Sequence, residues 1–377
     1  MKILVLSKNF YTDKDMLKDR YGRVYELSKV LASLGHQVYG IALDYHQSRN
    51  DAGQTEIKDG SLNWNTVRLF PKPLAGFRAY LDRINSVVAK CAPDALISVS
   101  DVFHVVMGDW LAKTHKFLHV VDLYDNYESF SAARIPLAVS LFRRALKRAD
   151  GIVCVSQSLA IYTQDVCRLR YMPLTITNAV DKSRFTPRNR LECRRKLNLP
   201  EGKILIGYGG AIAFSRGINV LFQAFRELKA AKPGIHLVLA GPIDRRTEIP
   251  GNSDVHYLGE LDYTAMPDFF GSLNVGVVSN RDSSFGRYCF PQKFFEMLAC
   301  DIPVVTASTG EVTHLMKGCQ NALFRPGAVK DLVNAMQKQL DTPCKPGIEI
   351  PCWERQGAML SDYLERVSGS NPDGRRR

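Results

Sequence analysis

Short apolar runs alternate with helix-period segments along most of this 377-residue chain, and that alternation restricts the possible folds more than any other feature. Strands separated by helices predict parallel sheets with helices on both faces. In the first half the spacing predicts strands at 2–7, 37–43, 95–99, 117–121 and 151–155. It also predicts a helix over 21–34 that stops at Gly35, a residue suited to the position just past a last helical turn. A second series predicts strands at 203–207, 236–240, 256–258, 275–278 and 302–306, with helices over 217–231, 266–272 and 291–299.

Between the two series the chain is polar, dense in Arg and Lys, and holds Pro187 and Pro200, so it reads as a connector with a short helix inside. The expected organisation is a first Rossmann-like domain over 1–181, a linker over 182–200 and a second such domain over 201–350. A C-terminal helix over 351–368 is expected to pack back towards the first domain, and a tail over 369–377, without apolar content, reads as disordered.

Composition narrows the classes further. With 45% hydrophobic and 23% charged residues the chain is globular, and no apolar run reaches the roughly 18 residues of a membrane span. The first apolar run, Met1–Leu6, is too short for a signal-peptide core and lacks a small-residue cleavage site, so the expected location is cytoplasmic. Nine scattered cysteines without a CxxC pair fit reduced thiols. A net charge of +12 favours an anionic partner: nucleic acid, a membrane surface or a phosphorylated substrate.

Several residues carry chemistry. In FPQKFFEMLACDIPVV (290–305), Pro291 suits a first helical turn, and Lys293 and Glu296, three apart, share one helical face. A cation and a carboxylate so placed fit a ligand with phosphate at one end and hydroxyls at the other. Gly207, Gly209 and Gly210 end a strand just before Arg216, Gly217 and a helix, a turn whose amides suit a pyrophosphate, although a tight turn that binds nothing uses the same residues. Ile212 stands where a dinucleotide fingerprint needs its third glycine, which argues against a nicotinamide oxidoreductase and against a Walker loop.

Asp122, Asp125 and Glu128 follow a predicted strand, where open α/β sheets place their ligand crevice. Asp125 capping a helix that begins near Tyr127, with Glu128 in a capping box, explains two of them equally well; Asp122 has no such structural reading. His119, inside an apolar run, reads as a core residue. The stretch 134–148 combines five cations with Ile135, Leu137, Leu141, Phe142 and Leu146, and suits either an anionic bilayer surface or an ordinary core-facing helix. No nucleic-acid module accompanies the charge, so nucleic acid is not an expected partner. Without HExxH or G-x-S-x-G, neither zinc nor serine hydrolysis is expected.

These pieces, in order, resemble the retaining glycosyltransferases of family four. The resemblance runs through RYGRVYELSKVLASLGHQV, RADGIVCVSQSL, ITNAVDKSRF, GYGGAIAFSRGINVLFQAF, HLVLAGP, VHYLGELDYTAMPDFF and the 290–305 stretch. It implies a GT-B fold, two facing Rossmann-like doubly wound domains with a cleft between them. It implies that Glu296 grips the ribose hydroxyls, that Arg216 and Lys293 neutralise the leaving diphosphate, and that Gly210, Tyr288 and the loop carrying Gly310, Glu311 and Val312 complete the donor site. Asp122 and Asp125 are implied on the acceptor side.

The chain departs from the family at three positions. Tyr288 replaces a glutamate eight residues before Glu296, Ala211 replaces an arginine five residues before Arg216, and Tyr124 replaces a histidine before Asp125. The implied activity is metal-independent transfer, with no cofactor, of a hexosyl group from a nucleotide sugar to a glycan or lipid-linked acceptor. Polysaccharide or glycolipid synthesis, at a membrane surface reached through 134–148, is the implied setting. A non-catalytic partner subunit and a nucleotide-sugar epimerase of the same fold stay open beside it.

Overall fold

The computed structural model describes residues 1–11, 14–46, 55–284, 286–290 and 292–369. It divides into two compact units, Met1–Asn178 together with the chain from Trp353 onward, and Ala179–Cys352. In the first unit the elements run β1 (Lys2–Lys8), β2 (Phe10–Tyr11), β3 (Lys14–Asp15), α1 (Arg23–Ser33), β4 (Gln37–Asp44), β5 (Glu56–Asp59), β6 (Leu62–Arg68) and α2 (Pro73–Cys91). They continue with β7 (Ala95–Val99), α3 (Val102–His115), β8 (Leu118–Leu123), α4 (Ala138–Arg148), β9 (Gly151–Cys154), α5 (Gln157–Cys167) and β10 (Leu174–Thr175).

An eight-stranded sheet in the order β10-β9-β8-β7-β1-β4-β6-β5 results, parallel except where β5 meets β6. Its centre is β1, whose Ile3, Leu4, Val5 and Leu6 are buried, each contributing roughly 1.5–3 kcal/mol relative to exposure. Helix α1 ends as its sequence predicts: Gly35 N–H donates to Ala32 O and His36 N–H to Leu31 O, both at 3.1 Å, the paired bonds of a Schellman stop.

The second unit holds α6 (Arg190–Lys196), β11 (Ile204–Gly209), α7 (Ile218–Ala231), β12 (Ile235–Ala240), β13 (Val255–Tyr257), α8 (Met266–Gly271) and β14 (Val275–Val278). After these come α9 (Gln292–Ala299), β15 (Val304–Ala307), α10 (Gly310–Leu315), β16 (Leu323–Phe324) and α11 (Val329–Asp341); α12 (Trp353–Gly369) then rejoins the first unit. Six parallel strands form the order β13-β12-β11-β14-β15-β16 around a core of Ile206, Tyr208, Leu221, Phe225, Leu237 and Val277.

Several expectations need correction. Residues 182–200 are part of the second unit and not a linker. Asn189 Oδ1 caps α6 through Leu191 N and Glu192 N, and the buried Arg194 guanidinium donates to Ser272 O, Glu201 O, Lys203 O and Asn274 Oδ1. A charge-dense stretch reads as solvated, yet here one of its cations satisfies carbonyls inside the fold. The thiols are not all reduced: Cys319 and Cys344 form a disulfide, their Cα atoms 5.8 Å apart. The chain folds back after α11, where Cys344 N–H donates to Gln339 Oε1, and this turn brings the two cysteines together.

The N1 position read for Pro291 lies outside the described residues, as does the tail beyond Gly369; Gly369 itself closes α12. No helix among the described residues is long and apolar enough to cross a membrane.

Candidate functional site

Each sheet has one place where the chain leaves the central strand in both directions, and ligands of open α/β sheets bind at the carboxyl ends of the strands there. In the second unit it lies between β11 and β14, which pair at Ile206↔Val275 and Gly207↔Gly276. The turn 209–217 leaves β11, the loop 279–290 leaves β14, and α9 follows.

Helix α9 carries Lys293 inward. Its ammonium donates to Gly209 O and lies over the Tyr208 ring, 4.7 Å from the centroid. Gly210, at φ +117°, makes this possible, since a Cβ there would overlap Lys293 Nζ. Burial and, next, the nearby Arg216 bring the Lys293 pKa down to about 8, with Glu296 opposing both. Lys293 and Glu296 on α9 therefore share one electrostatic environment with Arg216, which lies far off in sequence on the turn after β11.

Glu296 is 5% exposed. Its Oε1 accepts from Tyr263 Oη at 3.1 Å and from Gln292 Nε2 at 2.9 Å. Both donors are neutral, so the carboxylate is oriented without an ion pair at those contacts. Tyr263 and Gln292 were missed in the sequence; Gln292 stands four residues before Glu296 on one helical face, a spacing that could have exposed it.

Gly310, with φ +55°, opens α10 against the backbone of the β14 loop: a Cβ there would overlap Arg287 O. Val312 is buried, and Glu311 lies in the first turn of α10. The loops carrying Gly310 and Tyr288 thus meet through main chain, and Arg287, next to Tyr288, pairs with Asp282 at 2.6 Å. Gly210, Arg216, Tyr288, Lys293, Glu296 and Gly310–Val312 all stand at the carboxyl edge of the second sheet or on the helices that follow it.

The carboxylates of the first unit fare differently. Asp122 lies within β8, not after it, and is buried in a salt bridge with Arg23. Arg23 Nε donates to Oδ2 at 2.9 Å and Nη2 to Oδ1 at 2.9 Å, and Nη1 binds Ile176 O and Thr177 O. Asp122 therefore has a structural role, and the expectation that it lacks one is corrected on that ground.

The capping expectation also shifts by one residue. Asn126 Oδ1 accepts from Glu128 N–H at the short 3₁₀ turn 127–129, while Asp125 Oδ1 accepts from Asn126 N–H. Glu128 forms a two-pronged pair with Arg143, both bonds 2.7 Å, and accepts from Tyr162 Oη at 3.0 Å. Asp125 is buried at the end of β8. His119 is a core residue of β8, its Nε2 2.8 Å from Ser98 Oγ.

In the stretch 134–148 the helix begins only at Ala138. Phe142, Ala145 and Leu146 face the core, whereas Ile135, Leu137 and Leu141 are 63%, 74% and 48% exposed beside the exposed Arg134, Arg144 and Lys147. The core-facing reading thus holds for one side of the stretch, and three of its apolar side chains stay exposed. No group of three or more His, Cys, Asp or Glu among the described residues is placed to hold a metal ion.

Residues 203–342 match the family model described as glycosyl transferases group 1, and residues 23–184 match that of glycosyltransferase family 4. The chain is 27% identical over 246 residues to a D-inositol 3-phosphate glycosyltransferase of Stackebrandtia nassauensis, covering 60% of this chain and 53% of that protein. It is 24% identical to the lipopolysaccharide core mannosyltransferase LpsB of Rhizobium meliloti, covering 46% of this chain and 49% of that protein. The chain thus spans about half the length of the curated relatives it matches.

Among solved structures, sucrose-phosphate synthase of Thermosynechococcus elongatus superposes with a TM-score of 0.77 at 17% identity, over 98% of this chain and 100% of that one. Anabaena HepE with UDP-glucose superposes with a TM-score of 0.67 at 16% identity, over 98% and 95%. At these identities the likeness is one of fold, GT-B with two parallel-sheet Rossmann-like domains.

Proposed function

The chain belongs to the family 4, group 1 glycosyltransferases, and from that premise we propose that it moves a hexosyl group, with retention, from a nucleoside-diphosphate sugar to a glycan or lipid-linked acceptor. The observation that carries this reading is the buried ammonium of Lys293 beneath Gly210, sharing its field with Arg216 and Glu296 at the switch point of the second sheet. Phosphate meets the cations and turn amides, and Glu296, held by Tyr263 and Gln292, receives the ribose hydroxyls.

The acceptor hydroxyl attacks the anomeric carbon on the face the diphosphate leaves. The carbon–diphosphate oxygen bond breaks, the new glycosidic bond forms, and the hydroxyl proton passes to the departing diphosphate. Arg216 and Lys293 stabilise the charge that develops on that group, so positioning and charge do the work that a metal ion does in other transferases. Asp125 stays on the acceptor side of this reading, and Tyr288 and Gly310–Val312 on the donor side.

The lipopolysaccharide-core relative supports an acceptor of that class. The exposed Ile135, Leu137 and Leu141 beside basic residues support a cytoplasmic protein that works at an anionic membrane surface.

Thermal-shift measurement against uridine, guanosine, adenosine and thymidine diphosphates tests the donor reading, because a ligand stabilises the folded state according to its affinity. One diphosphate should raise the melting temperature, and Arg216→Ala should remove that rise and cut turnover by about 10²–10³-fold while the unliganded protein melts as before. A flat response to all four, or an Arg216→Ala variant with near-normal turnover, counts against the proposal.

A further inference from the structure

The turn 209–217 and the loop after β14 flank one switch point, and Gly217 marks where they touch. Ser279 Oγ donates to Gly217 O at 3.4 Å, and Arg281 Cγ lies 3.6 Å from where a Cβ of residue 217 would stand. Arg281 is therefore packed over the residue that follows Arg216, from the opposite side of the crevice. Its side chain is exposed, and among the described residues it forms no ion pair, whereas the neighbouring Arg287 is paired with Asp282.

A second observation bears on the same place. Position 211, on the turn itself, is Ala, so the turn offers Arg216 as its single cation between Gly207 and Gly217. Arg216 and the Lys293 ammonium beneath Gly210 stand on the turn's side of the crevice, and a diphosphate carries charge enough to engage a further cation from the adjoining loop. The loop after β14 supplies what the turn lacks.

We infer that Arg281 is a third cationic binding residue for the diphosphate of the donor, beside Arg216 and Lys293, reaching across the β11–β14 switch point towards a turn that has Ala211 and Arg216 but no further cation of its own. The inference rests on the donor reading above, and it adds a residue that neither motif nor spacing indicated. Its place in the loop makes the phosphate site a property of two loops.

Calorimetric titration with UDP and with uridine separates the possibilities. Arg281→Ala should weaken UDP binding by about tenfold, leave uridine binding unchanged and leave the unliganded melting temperature unchanged. Adding Ala211→Arg to that variant should restore much of the lost UDP affinity, because the cation returns to the same crevice from the other loop. If Arg281→Ala binds UDP as the parent does while Arg216→Ala binds weakly, the inference fails and the donor reading stands. Equal loss of uridine and UDP affinity would also overturn it, by giving Arg281 a structural role. If the parent protein does not distinguish UDP, or the other nucleoside diphosphates, from their nucleosides, both fall together.

Discussion

The two sheets are both doubly wound about a central strand and differ in how charge is arranged at their carboxyl edges. In the first unit the charges are closed on themselves. Arg23 holds Asp122, Arg143 holds Glu128, and Asp101 Oδ1 lies 2.8 Å from His104 Nδ1 and caps His104 N–H. In the second unit Lys293 is bonded to a carbonyl, Arg281 forms no ion pair among the described residues, and Glu296 accepts from neutral donors. A sheet edge whose charges neutralise each other is built to hold its own shape. One that leaves positive charge facing a glycine turn is built for an anion.

The largest effect expected from this contrast is on stability. Arg23→Ala leaves Asp122 buried without its cation and two carbonyls without their donor, so urea unfolding should show a loss of about 3–5 kcal/mol. Asp122→Asn should be destabilised in the same sense; a variant that unfolds like the parent yet has no turnover would return Asp122 to the chemistry and break the comparison.

A smaller effect belongs to Lys293, whose pKa of about 8 is below its ordinary 10.5. Because the folded state binds this proton less tightly, the Lys293 contribution lets the unliganded protein gain stability as pH rises from about 8 towards 10.5. Diphosphate affinity should move the other way, falling by up to about tenfold per pH unit above 8, since the ligand needs the ammonium. Lys293→Met should bind weakly and without that step; an unchanged pH profile in the variant would remove Lys293 from the site.

The smallest effect is at the surface of the first unit. Leu137→Asp should change folding stability by no more than about 0.5 kcal/mol, because the side chain is largely exposed. It should still reduce co-sedimentation with vesicles rich in phosphatidylglycerol. Equal sedimentation of parent and variant would leave the apolar patch without a membrane role.

Periodicity carried most of the fold. Strands 95–99 and 275–278 stand where their apolar runs predict them, and Gly35 ends α1. Long-range pairing was not legible: Arg23 is 99 residues from Asp122, and no local pattern links them. The Asp125–Asn126 choice of cap turned on backbone geometry, since both residue types cap helices. The helices at 73–91, 102–115 and 329–341 and the strands at 56–59 and 62–68 escaped the sequence reading. In the candidate site, Glu296, Lys293 and Arg216 were visible because they sit on one helix and one turn. Arg281 was hidden because its importance comes from a neighbouring loop brought alongside by the order β11-β14.

The chain enters and leaves the second unit by adjoining segments: Val180 forms an isolated bridge with Cys352, and Val180 N–H donates to Pro351 O at 3.0 Å. The whole of Ala179–Cys352 is thus an insertion into an otherwise continuous first unit, with its two joints at one hydrogen-bonded crossing. Such a segment behaves as a cassette. Engineered recombination at these two neighbouring points would exchange the second unit whole and leave the helix that completes the first unit in its original setting.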